Sequence, residues 1–171
     1  WARVTLAQLG RLAGGGGTPA CRIADWPRFP LRGLMLDCGR NYLSLETIRD
    51  MIGFMSAYKM NVFHWHLTDY FGWRLESKVY PQLQSDQATT RFPGCYYTQK
   101  EFRELIDDAA ARGVIVIPEF DVPGHTLAFR RAFGFEKMNE PRVKGIILDL
   151  IDELCALAPP ATMPYIHLGT D

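Results

Sequence analysis

The sequence has no excess of charge of either sign, no long apolar run and no closely spaced cysteine pair. Nineteen basic residues balance nineteen acidic ones, which argues against a nucleic acid or an anionic membrane surface as partner. No apolar run approaches the roughly 20 residues of a membrane span. The cysteines form no C-x-x-C pair, so they indicate neither a zinc site nor a small disulfide scaffold and leave the redox compartment open. A neutral ligand fits this composition best.

The start of the chain, "WARVTLAQLG", has no initiator methionine and none of the charged and apolar regions of a signal peptide. We therefore expect the chain to begin inside a longer protein. Its 171 residues, 47% hydrophobic and 22% charged, suffice for one packed domain.

Four short apolar runs alternate with helical patterns. The runs predict buried strands at 31–37, 61–67, 114–121 and 164–171. Apolar residues at intervals of three and four predict three helices. They begin after Ser44, after Thr98, which forms a capping box with Glu101, and near Pro141. The segment 69–94 has no sustained period and is predicted to be a loop.

Strands separated by helices indicate a parallel α/β sheet, either in an open doubly wound fold or in a (β/α)8 TIM barrel. No Gly-x-Gly-x-x-Gly turn follows the first strand, so a dinucleotide site is not indicated. A TIM barrel carries its working residues at the carboxyl ends of its strands. Polar residues collect at those ends here: Asp37, His64, His66, Asp69, Glu119, Asp121, His125, His167 and Asp171. We therefore predict about the first four β/α units of a (β/α)8 barrel.

Five motifs occur in order: "FPLRGLMLDCGR", "KMNVFHWHLTD", "GWRLE", "YYTQKEFRELIDDAAARGVIVIPEFDVPGH" and "YIHLGTD". Together they resemble the catalytic barrel of glycoside hydrolase family 20, the β-N-acetylhexosaminidases. The resemblance runs from about residue 23 onward, and "TLAQL" resembles the connector from that family's small N-terminal α/β domain. It implies that 1–22 is this connector and that 23–171 is the N-terminal half of the barrel.

The resemblance also implies a reaction, the retaining hydrolysis of terminal N-acetylglucosamine or N-acetylgalactosamine without cofactor or metal. In this family the 2-acetamido oxygen of the sugar attacks C1 and forms an oxazolinium-like intermediate. A carboxylate against the acetamido N–H orients the group and stabilises its positive charge. Asp171 matches that carboxylate. The family's motif continues into a glutamate that is the general acid, so the chain alone is expected to have little or no activity.

Three further residues are assigned to the catalytic site. By resemblance, Asp69 and His125 belong to the charge network around the general acid. Asp121 either joins this network or accepts backbone N–H groups of the turn at Pro123. If the last strand alternates through its whole length, Asp171 faces the same side as His167, with Gly169 leaving space below it.

Two residues are candidates for binding the substrate. Arg32 matches the family's Arg-Gly pair, which binds sugar hydroxyls through its fork of donors. It precedes the apolar run of its strand, however, and geometry alone favours Arg40. Trp73 is a candidate for stacking on the sugar. Tyr70 and Phe71 stand where the family usually has a second acid and a glutamine, which leaves the preference beyond the first sugar open.

Two other functions are weighed. His64 and His66 share one face of a strand and could chelate a metal, as in metal-dependent barrel hydrolases. Alternatively, the chain is an inactive, truncated carbohydrate-binding remnant. Four strands cannot close a barrel, so association into a homo-oligomer or aggregate through exposed edges is expected.

The expected partner is an N-acetylhexosamine-terminated glycan. No membrane span is expected in the chain, and the resemblance favours a periplasmic, extracellular or lysosomal location.

Overall fold

The computed structural model describes residues 2–12, 14 and 20–171. Five α-helices are described, namely α1 (Ala2–Leu12), α2 (Leu45–Ala57), α3 (Gln99–Ala111), α4 (Leu127–Phe133) and α5 (Val143–Cys155). The strands are β1 (Gly33–Asp37), β2 (Val62–His66), β3 (Thr68–Asp69), β4 (Gly72–Trp73), β5 (Ile115–Val122) and β6 (His167–Gly169). A short 3-10 helix spans Pro81–Gln84.

The four longer strands form one parallel sheet in the order β1, β2, β5, β6. Helices α2, α3 and α5 lie in the connections between successive strands of this sheet. The predicted parallel α/β arrangement is therefore confirmed. None of the described helices is long and apolar enough to cross a membrane.

Two of the three predicted helix starts are confirmed by their caps. The Ser44 hydroxyl accepts a hydrogen bond from the backbone N–H of Thr47 at the start of α2. Thr98 and Glu101 form both bonds of a capping box at the start of α3. Each cap satisfies a backbone N–H that the first helical turn leaves free, which fixes where the helix begins.

The hydrophobic core fills the space between the helices and one face of the sheet. Phe63 and Trp65 of β2 are fully buried on this face, and Trp65 stacks on Phe102 of α3 with 5.6 Å between ring centroids. The alternate residues His64 and His66 point to the opposite face, because side chains alternate along a strand. The core thus leaves the second face of the sheet to polar residues.

The last part of the chain departs from the expected strand. β6 spans only His167–Gly169, and φ is +68° at Gly169 and +80° at Thr170. Left-handed conformations end the extended alternation. Asp171 is therefore positioned by a turn, and the expectation that it alternates in phase with His167 is wrong.

Some segments contain more regular structure than the sequence predicted. The predicted loop 69–94 includes part of the β3–β4 hairpin and the 3-10 helix, and α4 was not predicted at all. The proposed connector 1–22 includes α1, but residues 1, 13 and 15–19 lie outside the described residues. The boundary of this connector stays a prediction.

No disulfide joins the four cysteines, which are all free and lie in the described part of the chain.

Replacing Phe63 with alanine should lower the free energy of unfolding by about 3–5 kcal/mol, because it removes a fully buried ring. Phe54 on α2 is 61% exposed, so Phe54→Ala is the matched control and should change stability by less than about 0.5 kcal/mol. Chemical denaturation monitored by circular dichroism measures both. Equal losses in the two variants would contradict this assignment of the core.

Candidate active site

A row of polar residues crosses the sheet near the carboxyl ends of its strands. The register pairs Asp37 with His66, His66 with Glu119, and Glu119 with His167. Paired residues on neighbouring parallel strands point to the same face. The fold therefore gathers four polar side chains from four strands on the face opposite the hydrophobic core.

Glu119 is the centre of this row. One carboxylate oxygen lies 2.6 Å from Nδ1 of His66 and 2.8 Å from Nε2 of His64, and the other lies 2.8 Å from Nδ1 of His167. Its side chain is only 6% exposed. The three imidazoles come from β2 and β6, so one buried carboxylate joins the three adjacent strands β2, β5 and β6.

The charges of Glu119 and His66 support each other. Burial opposes ionisation of Glu119, but the hydrogen bonds from His64 and His66 outweigh it and hold the pKa of Glu119 well below its usual range. Burial also opposes the charge on His66, but Glu119 and then Asp69 outweigh it and raise the pKa of His66 to about 9. At neutral pH the two residues form a buried ion pair.

Asp69 extends the network from His66 to the loops at the carboxyl end of the sheet. Its fully buried carboxylate oxygen Oδ2 lies 3.2 Å from Nε2 of His66, 2.9 Å from the guanidinium of Arg40 and 3.2 Å from Nδ1 of His125. A Cβ atom added to Gly39 would lie 2.9 Å from the Cβ of Asp69. The glycine therefore allows the loop after β1 to approach Asp69 closely.

Arg40 connects that loop to His125. Its guanidinium donates to Asp37 at 2.6 Å and lies 3.1 Å from Nδ1 of His125. Partial burial opposes the charge on Arg40, but Asp37 and then Asp69 outweigh it and raise the pKa of the guanidinium. Because a guanidinium can only donate, the contact with Nδ1 is a hydrogen bond when Nδ1 carries no proton. The proton of a neutral His125 ring is then on Nε2.

Asp171 is held by the turn that carries His125. The backbone N–H of Gly124 donates to the carbonyl oxygen of Asp171 at 3.0 Å. Nε2 of His125 lies 3.2 Å from the Asp171 carboxylate, whose side chain is 70% exposed. A Cβ atom at position 124 would lie only 2.2 Å from the Asp171 carbonyl oxygen, so this approach requires glycine. The turn thus fixes the backbone of Asp171 and places its carboxylate beside His125.

Asp121 lies beside Asp171, on the same face of β5 as Glu119. Burial, followed by the charge of Asp171, raises the pKa of Asp121 to about 6. Its buried Oδ1 has no hydrogen-bond partner among the described residues. This oxygen fills the space that Gly169 leaves, since a Cβ there would lie 1.7 Å away. The space expected below Asp171 is therefore occupied by Asp121.

The structure brings together all four residues predicted for the catalytic site, namely Asp69, Asp121, His125 and Asp171. Oxygen and nitrogen atoms of Asp69, Asp121 and His125 lie within 4.8 Å of one another, which favours the first of the two alternatives for Asp121, a place within the network. Its carboxylate accepts no described backbone hydrogen bond from the Pro-Gly turn.

The structure corrects the two residues predicted to bind substrate. Arg32 precedes the first residue of β1, at the opposite end of the sheet, and its guanidinium donates to the carbonyl oxygens of Phe29 and Lys59 at 2.6 Å. Trp73 is 1% exposed and packs on Phe120 at 4.7 Å, because the β3–β4 hairpin folds its ring into the core. Neither side chain can reach a sugar at the carboxyl end of the sheet in this arrangement.

Two residues that were not assigned to the site are central to its geometry. Arg40 was recognisable from its place just after a strand, where geometry alone favoured it over Arg32. Glu119 was visible as a carboxylate inside the apolar run "VIVIPEF", a place where a charge needs buried partners.

Several groups of side chains have the ligand types of a metal site. His64, Glu119 and His167 form one of four described groups whose ligand atoms lie within 4.8 Å of one another. In this group the nitrogen and oxygen atoms are only 2.8 Å apart, which is a hydrogen-bond distance. His64 and His66 both contact a single oxygen of Glu119, so the geometry favours a hydrogen-bonded cluster over the alternative of a His64–His66 chelate.

The free energy of unfolding should fall as the pH rises through about 9, because folding stabilises the protonated form of His66. The stabilisation is complete below the unfolded pKa of about 6.5 and is lost through the folded pKa of about 9, a change of at most about 3 kcal/mol. Glu119→Gln removes the main partner, so we expect lower stability at pH 7 and a flatter profile between pH 7 and 10. The measurement is urea denaturation across this range.

The exposed Glu46 on α2 provides the matched control for that measurement. Glu46→Gln should keep the wild-type profile, and other titrating groups cancel when variants are compared with the wild type. Parallel profiles for wild type and Glu119→Gln would show that the pair does not stabilise the fold.

Comparisons with known proteins agree with this geometry. Residues 29–139 match the sequence model of the glycosyl hydrolase family 20 catalytic domain. The chain is 37% identical to a β-hexosaminidase of Vibrio furnissii, over 99% of this chain and 33% of that protein. It is 33% identical to a β-N-acetylhexosaminidase of Cellulomonas fimi, over 98% of this chain and 38% of that protein. The chain thus spans little more than a third of the length of these relatives.

Solved structures give the same result. An exo-β-N-acetylglucosaminidase of Vibrio harveyi, in complex with N-acetylglucosamine, superposes with a TM-score of 0.77 at 35% identity, over 86% of this chain and 28% of that one. A crystal structure of a β-N-acetylhexosaminidase has a TM-score of 0.82 at 32% identity, over 98% of this chain and 41% of that one. The predicted TIM-barrel fold class is confirmed, with this chain covering part of the barrel. The sequence model of the family matches more than half of the residues of this chain, which therefore belongs to glycosyl hydrolase family 20.

Proposed function

We propose that the chain carries the sugar-binding part of the active site of a β-N-acetylhexosaminidase. The natural protein would remove terminal N-acetylglucosamine or N-acetylgalactosamine from a glycan or glycoconjugate, with retention of configuration. The observation that carries this proposal is the position of the Asp171 carboxylate, whose backbone is bonded to Gly124 and which contacts His125. Export of the protein stays a prediction from the family resemblance.

In this proposal Asp171 receives the acetamido N–H of the bound sugar. Its carboxylate orients the acetamido oxygen toward C1 and stabilises the positive charge that develops as the oxazolinium-like ring forms. The carboxylate needs little rearrangement to do this, because its backbone is already bonded to the turn at Gly124. Preorganisation of this kind lowers the barrier without a reorganisation cost during the reaction.

Asp121 and His125 set the electrostatic environment of Asp171. Burial and the neighbouring charge of Asp171 raise the pKa of Asp121 to about 6, so the proximity of the two carboxylates favours a neutral Asp121 at lower pH. His125 contacts the Asp171 carboxylate through Nε2. Both contacts support the orientation of Asp171 toward the acetamido group.

Arg40 takes the role for which Arg32 was predicted, the binding of sugar hydroxyls. Its side chain is 40% exposed, and its guanidinium is oriented by Asp37 and Asp69. A guanidinium held by two carboxylates keeps further donors for hydroxyl oxygens. The proton donor is proposed to be the glutamate that follows the Asp171 position in the family's motif, and such a general acid contributes about 10²- to 10⁴-fold to the rate.

Asp171→Asn in the natural full-length protein should lower kcat for a chromogenic N-acetylglucosaminide by about 10²- to 10³-fold, with a smaller effect on KM. The amide keeps the shape of the side chain but cannot stabilise the positive acetamido group. Asp152→Asn, at an exposed aspartate on α5, is the matched control and should retain wild-type kinetics.

A second substrate separates the proposed mechanism from a general loss of structure. The wild type should strongly prefer the N-acetylglucosaminide to the corresponding glucoside, which lacks the acetamido nucleophile, and Asp171→Asn should lose most of this preference. An unchanged kcat in Asp171→Asn would remove this residue from the mechanism. Binding of N-acetylglucosamine by the natural protein without any turnover would instead support a carbohydrate-binding role.

A further inference from the structure

Two aromatic side chains lie exposed at the edge of the site. Tyr70 is 40% exposed and Phe71 is 39% exposed. They stand between Asp69, which is fully buried in the network, and the β4 strand. Isolated exposed aromatics are common on protein surfaces. These two are adjacent to each other and to the catalytic network, which calls for a specific explanation.

Both rings are fixed relative to the network. The Tyr70 ring lies against the His125 ring, with 5.1 Å between their centroids and an angle of 41°. The guanidinium of Arg91 lies over the Phe71 ring, 4.9 Å from its centroid. Arg91 in turn donates to the side chain of Asn41 at 3.1 Å. Tyr70 is thus tied to the His125 turn, and Phe71 to the loop that carries Arg40.

The position of these rings determines which part of a substrate they can meet. A terminal sugar bound by Asp171 and Arg40 has nothing attached to it except its leaving group. Whatever part of the substrate extends past His125 toward the exposed rings therefore belongs to the leaving group. Flat aromatic faces flanked by a few polar groups are the usual lining of sites for ligands with an apolar face. A pyranose ring presents such a face of C–H groups.

We propose that Tyr70 and Phe71 form a platform for the second sugar of the substrate, on which the leaving-group ring stacks. This inference rests on the proposed hexosaminidase function and adds the substrate class, an N-acetylhexosamine linked to another sugar in preference to one on a small alkyl group.

The test uses the natural full-length protein and two substrates, a β-1,4-linked trisaccharide of N-acetylglucosamine and methyl β-N-acetylglucosaminide. Tyr70→Ser and Phe71→Ser should each raise KM for the trisaccharide by about three- to tenfold, the range expected for loss of one aromatic contact. Kinetics on the methyl glycoside should change by less than about twofold. Tyr70→Phe keeps the aromatic face and should retain wild-type KM.

Tyr58→Ser is the matched control, because Tyr58 is 78% exposed but lies just before β2 begins, at the other end of the sheet. It should leave both substrates unaffected. Equal losses on the trisaccharide and the methyl glycoside would overturn the platform, since the rings would then act on the terminal sugar or on His125. Unchanged KM for the trisaccharide in both serine variants would also overturn it.

The failure of the proposed function has a different signature. A wild-type protein that hydrolyses neither substrate contradicts the hexosaminidase proposal and leaves the platform to be judged by binding. Titration calorimetry with the trisaccharide then decides, because the platform predicts weaker binding to Tyr70→Ser and Phe71→Ser than to the wild type. Equal affinities would overturn the platform as well.

Discussion

Glu119 places a negative charge inside the protein, where an unpaired carboxylate would cost several kcal/mol. Three imidazoles surround it at hydrogen-bond distance, and they come from the two strands on either side of its own. The need to pair this charge therefore constrains the register of β2, β5 and β6. From His66 the same network continues through Asp69 to Arg40 and His125, and it ends at Asp171. The carboxylate that we assign to the acetamido group is therefore the last member of a network that begins in the buried sheet.

Close backbone approaches allow this network to form. Glycine at positions 39, 124 and 169 leaves room for Asp69, for the carbonyl oxygen of Asp171 and for the carboxylate of Asp121, respectively. At each position an added Cβ would lie under 3.0 Å from its neighbour. The site is therefore specified by small residues as much as by charged ones, and a substitution by alanine at 124 or 169 would displace a carboxylate without removing it.

The regular elements were predictable because their signals are local. Caps at Ser44 and Thr98 and a period of three to four residues defined the helices, and the carboxyl ends of parallel strands placed the polar residues at one edge. The errors arose where tertiary contacts decide. A family motif drew the assignment to Arg32, although only Arg40 lies past the end of its strand. Trp73 is buried by a hairpin with no periodic signal, and the strand before Asp171 ends early because two successive residues adopt positive φ.

The most direct test of this account is a crystal structure of the natural full-length protein with N-acetylglucosamine bound. We predict that the acetamido N–H donates to Asp171 and that ring hydroxyls accept from Arg40, with His66 and His125 still connected through Asp69. A sugar bound at the opposite end of the sheet, in contact with Arg32, would contradict the central claim. So would a sugar at the carboxyl end whose acetamido group points away from Asp171.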